Sequence, residues 1–167
     1  MDYELKNDYK TKIIKKLKEA NYKLTPQREA IVDVIINKIG SHLTVEEIFD
    51  LVKKEKPEIG LATVYRTLVI MHQEELVTRL DLQDGSTRYE LTREGENHTH
   101  HHLICISCSK VLEFMDDLLE PIENEIEKEY KFEILDHSLK FYGICHECAK
   151  EEEETLRRKL KNEKREW

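Results

Sequence analysis

All four cysteines of the chain stand in two Cys-x-x-Cys pairs, Cys105 with Cys108 and Cys145 with Cys148, and no thiol is left over. Two residues between paired thiols let a tight turn bring both sulfurs to one ion, and Zn²⁺ is satisfied by four thiolates in a closed tetrahedron. The N-terminal stretch from Met1 to Lys18 is lysine-rich and lacks an apolar segment of the export type. In a reducing compartment this pattern favours structural zinc over two disulfides. A redox couple is the competing reading, but neither pair sits in a thioredoxin-like context.

The second cluster, Asn97-His98-Thr99-His100-His101-His102, ends three residues before Cys105. In extended backbone His98, His100 and His102 project to one face and Thr99 and His101 to the other, so the segment can feed two separate metal centres. Imidazole with carboxylate, without thiolate, suits Fe²⁺, Mn²⁺, Zn²⁺ or Ni²⁺, and affinity order alone does not choose among them. The nearby carboxylates are Glu90, Glu113 and Glu120. A solvated histidine cluster among ordinary surface acids is the bland alternative.

These groups need a scaffold. Tyr9, Ile13, Ile14 and Leu17 have helical spacing, and Thr25-Pro26 supplies an N-cap with proline in the first turn of a second helix carrying Ile31, Val34 and Ile35. Thr44 with Glu47 is a capping box, opening a helix with Val45, Ile48, Phe49 and Val52 on its buried stripe. Pro57 and Gly60 end it, and Leu61, Val64, Tyr65 and Leu68 start another that runs to about Gln73. Two helices around a short breaker predict a helix-turn-helix. Leu76–Leu82, an Asp84-Gly85 turn and Thr87–Leu91 predict a hairpin wing.

Residues 1–92 are therefore expected to form a winged helix, and 93–98 a hinge. Beyond it, Leu103–Ile106 and Val111–Phe114 predict strands joined by the first cysteine turn, followed by a helix with Leu119, Ile122, Ile126 and Tyr130. Alternation of Leu135, His137, Leu139 and Phe141 predicts a strand over Glu133–Tyr142. The expected fold class is α+β: a winged helix, then a small α/β dimerisation domain over residues 99–149 with a four-cysteine zinc site, and a charged helical tail over 150–167.

The net charge of −8 superficially opposes a nucleic-acid partner, but the acid is unevenly spread. Residues 1–91 carry 15 Lys/Arg against 16 Asp/Glu, whereas residues 92–167 carry 12 against 19. Lys10, Lys12, Lys15, Lys16, Lys18 and Lys23 make a local basic stretch suited to a phosphate backbone, or simply to solvent. No apolar run is long enough to span a bilayer, so the sequence predicts a soluble, cytoplasmic protein without a membrane partner.

Leu24-Thr25-Pro26-Gln27-Arg28, Gly60-Leu61-Ala62-Thr63-Val64-Tyr65-Arg66 and His100-His101-His102-Leu103-Ile104-Cys105, followed by the second cysteine pair, together resemble the ferric uptake regulator (Fur) family from Lys23 to Ala149. The resemblance implies a homodimeric repressor that binds a palindromic, A/T-rich double-stranded DNA operator. It puts Tyr65 and Arg66 on bases in the major groove, Thr63 near phosphate, Lys23 near the minor groove, and Arg28 among the DNA-binding residues. Such roles suit the chemistry of Arg on guanine, an aromatic ring on a thymine methyl, and Lys in a narrow groove. Core packing is the alternative for Tyr65, which shares a stripe with Leu61, Val64 and Leu68.

By the same resemblance His42, Glu90, His100, His102 and Glu113 would hold a regulatory Fe²⁺, with Mn²⁺ or Zn²⁺ as substitutes. His101, Glu120 and His137 would form an additional centre, whose further histidine position is held here by Thr99. Peroxide sensors of the family favour aspartate at the positions of Glu90 and Glu113, and zinc sensors bring a cysteine into the regulatory site. Neither feature is present, so iron ranks ahead of manganese or peroxide sensing. Outside this class, a metalloenzyme would need an open coordination position and a pocket, and no nucleophile or phosphate-loop motif is present. A zinc-stapled scaffold that binds protein would bind DNA, if at all, without regard to metal.

Overall fold

The computed structural model describes residues 3–83, 85–92, 101–114, 118–135 and 137–163. The chain divides into two compact units, residues 1–94 and 95–167. The expected hinge at 93–98, and His98, Thr99 and His100 within the histidine run, lie outside the described residues.

The first unit begins with α1 (Tyr3–Glu19), α2 (Pro26–Asn37), α3 (Val45–Glu55) and α4 (Leu61–Gln73). The starts of α2 and α3 have a visible cause. The Thr25 side chain accepts from the Arg28 N–H at 3.2 Å ahead of α2, whose first turn contains Pro26. At α3 both halves of the capping box form: Glu47 N–H donates to Thr44 Oγ1 at 3.2 Å, and Thr44 N–H to Glu47 Oε2 at 2.8 Å. The wing follows as β1 (Val77–Asp81) antiparallel to β2 (Thr87–Leu91), with Gly85 at φ +81 in the turn. Leu17, Ile31, Ile48, Val64, Leu68 and Met71 lie at the centre of one apolar core built from all four helices and the wing.

The second unit is a three-stranded sheet, order β4-β3-β5, from β3 (His101–Cys105), β4 (Val111–Phe114) and β5 (Lys140–Gly143). Strands β3 and β4 are antiparallel, and β3 and β5 are parallel, with α5 (Glu120–Tyr130) in the crossover. Helix α6 runs from His146 to Glu163. Mixed helices and small sheets are the α+β class expected.

Two boundaries differ from expectation. The strand predicted from Glu133 begins only at Lys140, because the chain leaves α5 through Lys131 in the left-handed region (φ 52) and Ile134 N–H is taken by the Glu127 carboxylate at 2.9 Å. Leu135, expected on one strand face with His137, Leu139 and Phe141, precedes the strand and is 85 % exposed. The charged tail is not a separate element, since its helix starts at His146 and takes Cys148 into its first turn.

Candidate functional site

The four cysteine sulfurs converge. Their Sγ atoms all lie within 4.8 Å of one another, and none forms a disulfide. Cys108 Sγ and Cys145 Sγ are 3.8 Å apart. A disulfide would need about 2.05 Å, whereas the edge of a tetrahedron with Zn–S bonds of about 2.3 Å is about 3.8 Å. Backbone geometry prepares the site: Ser109 N–H donates to Cys105 O and Cys105 N–H to Lys110 O, each at 2.9 Å, with Ser109 at φ 57 closing the first turn. The second pair straddles the start of α6, where the N–H of Cys148 is directed at the Cys145 sulfur.

Thiol acidity follows this geometry. Cys105 is lowered to about 6, first by the N–H of Cys145, which donates to its sulfur at 3.3 Å, and then by the backbone of Cys108. Cys145 is raised to about 12: the N–H of Cys148 pulls it down, but desolvation and the neighbouring Glu147, Cys148 and Cys105 groups outweigh that pull. Lys110 bridges the two turns by pairing with Glu147 at 3.0 Å and holds that carboxyl down at about 2. Cys105 and Cys145, pushed in opposite directions, do not ionise together unaided, and a divalent ion supplies the positive charge that lets both bind as thiolates. The donor set fits Zn²⁺ with no open position, so its role is structural.

The regulatory ligands named from resemblance fall into two pairs, one in each unit. In the first unit His42 Nε2 lies 3.0 Å from Glu90 Oε2, with both side chains at most 5 % exposed. They meet because Leu43 and Tyr89 form an isolated antiparallel bridge, Leu43 N–H to Tyr89 O at 3.0 Å and Tyr89 N–H to Leu43 O at 2.7 Å. In the second unit His102 on β3 is the cross-strand partner of Glu113 on β4, so their side chains share a face. His100 lies outside the described residues.

His101 projects to the opposite face, buried, with its ring 5.4 Å from that of His137 and 6.0 Å from Phe114. His137 Nδ1 contacts Glu123 Oε1 at 2.5 Å. Glu123 was missed by sequence reasoning, which named Glu120; Glu123 lies one helical turn further along α5, and its i, i+3 relation to Glu120 was the available signal.

On α4 the inward stripe is Val64, Thr67, Leu68 and Met71, while Tyr65 is 53 % exposed and Arg66 is also outward. Core packing of Tyr65, the alternative left open above, is thereby excluded. Thr63 is half-buried beside them, its carbonyl accepting from Thr67 Oγ1 at 2.8 Å, and Arg66 Nε donates back to Ala62 O at 3.1 Å. Lys23 is exposed between α1 and α2, and Arg28 holds the Lys23 carbonyl while stacking 5.9 Å from the Tyr22 ring. Among the described residues no helix is long and apolar enough to cross a membrane.

The profile of the ferric uptake regulator family matches residues 19–142. A ferric uptake regulation protein of Bacillus subtilis is 49 % identical over 143 residues, covering 86 % of this chain and 96 % of that protein. The structure of the Helicobacter pylori ferric uptake regulator, described as revealing three functional metal binding sites, superposes with TM-score 0.75 at 29 % identity, covering 86 % of this chain and 93 % of that one. The Francisella tularensis ferric uptake regulator with iron gives TM-score 0.69 at 30 % identity, covering 77 % and 95 %.

Proposed function

Because the chain belongs to the ferric uptake regulator family and is a metal-responsive regulator rather than an enzyme, we propose that it is a dimeric repressor that binds a palindromic, A/T-rich operator when Fe²⁺ occupies His42, Glu90, His100, His102 and Glu113. The observation that carries the metal reading is the buried His42–Glu90 pair, an imidazole and a carboxylate brought together from residues 48 apart. Burying such a pair is worth little to stability by itself, and the same two groups are the donor chemistry that Fe²⁺, Mn²⁺ or Zn²⁺ takes. The relative solved with iron supports the first choice among these ions; manganese, and peroxide sensing, stand behind it.

The division of labour follows. The bound ion supplies charge that draws together ligands otherwise divided between the two units. Residues 93–98 serve as the hinge, so the ion can favour one arrangement only by its differential affinity for it. On the DNA side, outward Tyr65 and Arg66 read bases, Thr63 approaches phosphate, and Lys23 enters the minor groove beside the loop that Arg28 braces. The second unit presents exposed Leu103, Leu112, Ile122, Ile126, Tyr130 and Phe141, an apolar surface suited to a second copy. His101, Glu120 and His137, with Glu123, form the additional centre, in which Thr99 replaces a histidine.

Anaerobic titration of an A/T-rich palindrome with Fe²⁺, Mn²⁺ and Zn²⁺ in turn tests this for wild type and His102→Ala. Wild type should tighten with Fe²⁺ and the variant should not. Equal, metal-independent affinity in both would sink the sensor.

A further inference from the structure

The His42–Glu90 pair does not rest on its own contact alone. Arg88, two residues before Glu90 on β2 and therefore on the same face of that strand, donates from Nη1 to the His42 carbonyl at 2.9 Å. The same nitrogen lies 3.4 Å from Glu47 Oε2, the carboxylate oxygen that also caps α3 by accepting from Thr44 N–H at 2.8 Å. One guanidinium thus touches the backbone of one metal ligand, sits beside the other along the strand, and grips the first turn of the helix packed against α4.

We propose that Arg88 is a positioning residue for the regulatory metal pair, and that it links that pair to the helix-turn-helix within the first unit. The inference rests on the reading of His42 and Glu90 as metal ligands. Three features distinguish this role from the ordinary roles of a wing arginine. Its side chain is only 16 % exposed, whereas an arginine that meets phosphate stands in solvent. Among the described residues its buried Nε has no hydrogen-bond partner, so the guanidinium tolerates incomplete solvation, a cost that two charged or carbonyl acceptors offset. Its acceptors lie five residues apart, at the residue-42 bridge and at the α3 cap, so Arg88 fastens both ends of that stretch to β2, where the Leu43–Tyr89 bridge holds it at one point. Any adjustment of His42 toward an ion therefore pulls on the carbonyl that Arg88 holds, and through Glu47 on the start of α3.

The test uses the full-length, zinc-loaded protein with Co²⁺ as a visible probe, comparing wild type, Arg88→Lys, Arg88→Met, Glu47→Gln and His42→Ala. Ligand-field absorption reports coordination, operator anisotropy reports the metal-induced gain, and thermal unfolding and zinc content report the fold. Arg88→Met should weaken Co²⁺ binding about 10- to 100-fold, as loss of an outer-shell partner does, and alter the ligand-field band, with zinc retained. Arg88→Lys, keeping one donor, should recover part of the affinity and decides the matter if the methionine variant does not fold. Glu47→Gln, which keeps the cap, should bind Co²⁺ nearly as wild type but show a smaller gain in operator affinity. Wild-type Co²⁺ affinity and spectrum in both Arg88 variants would overturn the proposal. If instead His42→Ala leaves the Co²⁺ band of wild type unchanged, the ligand assignment itself falls, a distinct result.

Discussion

Truncating Tyr65 to alanine separates a residue that reads DNA from one that holds the fold. Tyr65 is 53 % exposed on α4, whereas Leu68, three residues on, is fully buried. Removing an outward side chain that is in no buried network should change unfolding free energy by no more than about 0.5 kcal/mol. Leu68→Ala should lose about 2–5 kcal/mol, because the hole it leaves in a four-helix core refills only in part. The order reverses on DNA. A good base contact is worth about 1–3 kcal/mol, and a dimer presents two copies of α4, so Tyr65→Ala should weaken specific operator binding by about 2–6 kcal/mol, roughly 30-fold to 10⁴-fold. Its nonspecific affinity and salt slope should hardly move, since no phosphate contact is lost. Urea unfolding and anisotropy with Mn²⁺ over a salt series measure both sides. A Tyr65→Ala protein destabilised as much as Leu68→Ala, or one with undiminished operator specificity, would refute the assignment of the outward face of α4.

Cys105→Ser should lose the tightly held zinc and, with it, the dimer, read by metal analysis and sedimentation; a stable zinc-free dimer would contradict the structural role. Zinc uptake by stripped protein near pH 7 should release protons, because Cys145, raised to about 12, is still a thiol there, whereas Cys105, lowered to about 6, is already largely ionised; pH-stat titration detects them. Lys10 pairs with Glu29 at 2.9 Å and Asp33 at 2.8 Å, and its pKa is raised first by Asp33 and then by Glu29. A raised cationic pKa stabilises below the unfolded value of 10.5 and is lost as pH climbs through the folded one. Lys10→Met should therefore cost about 0.5–1 kcal/mol at pH 7 and converge with wild type in thermal melts once the pH has risen through the raised Lys10 value.

What the sequence disclosed and what it withheld divide along a physical line. The caps at Thr25 and Thr44, the cysteine pairs and Gly85 of the predicted turn, whose Asp84 lies outside the described residues, are local signals, each confined to a few consecutive residues, and the elements they predict form at those places. Glu123 stands out only once His137, 14 residues on, folds against it, and the role of Arg88 depends on a segment farther away still. Nothing near Arg88 announces that the carbonyl of His42, 46 residues away, will stand beside it. Alternation over 135–141 looked like a strand because period two is indifferent to whether a neighbour exists to pair with; the left-handed exit at Lys131 delays that neighbour by several residues.

The two units also differ in how they can be stable, and this bears on what the metal can do. The apolar cluster of the first unit draws on α1 through β2, with ten side chains almost wholly buried. Among the described residues of the second, the buried side chains are His101, His102, Ile104 and Cys105, with large apolar groups left outside. A unit with so small a core depends on cross-links or a partner surface, which assigns the four-cysteine zinc site to folding and gives the proposed second copy the same role. On the proposed reading of His42 and Glu90 as regulatory ligands, the first unit is already folded with the two in contact, and an arriving ion displaces that contact instead of filling a void. Its apparent affinity is therefore lowered by whatever that contact contributes, and Glu90→Gln, which keeps a neutral partner for His42, should preserve the melting temperature within a few degrees while abolishing the Co²⁺ band. A variant that unfolds together with losing the ion would show that the pair serves the fold and not the switch.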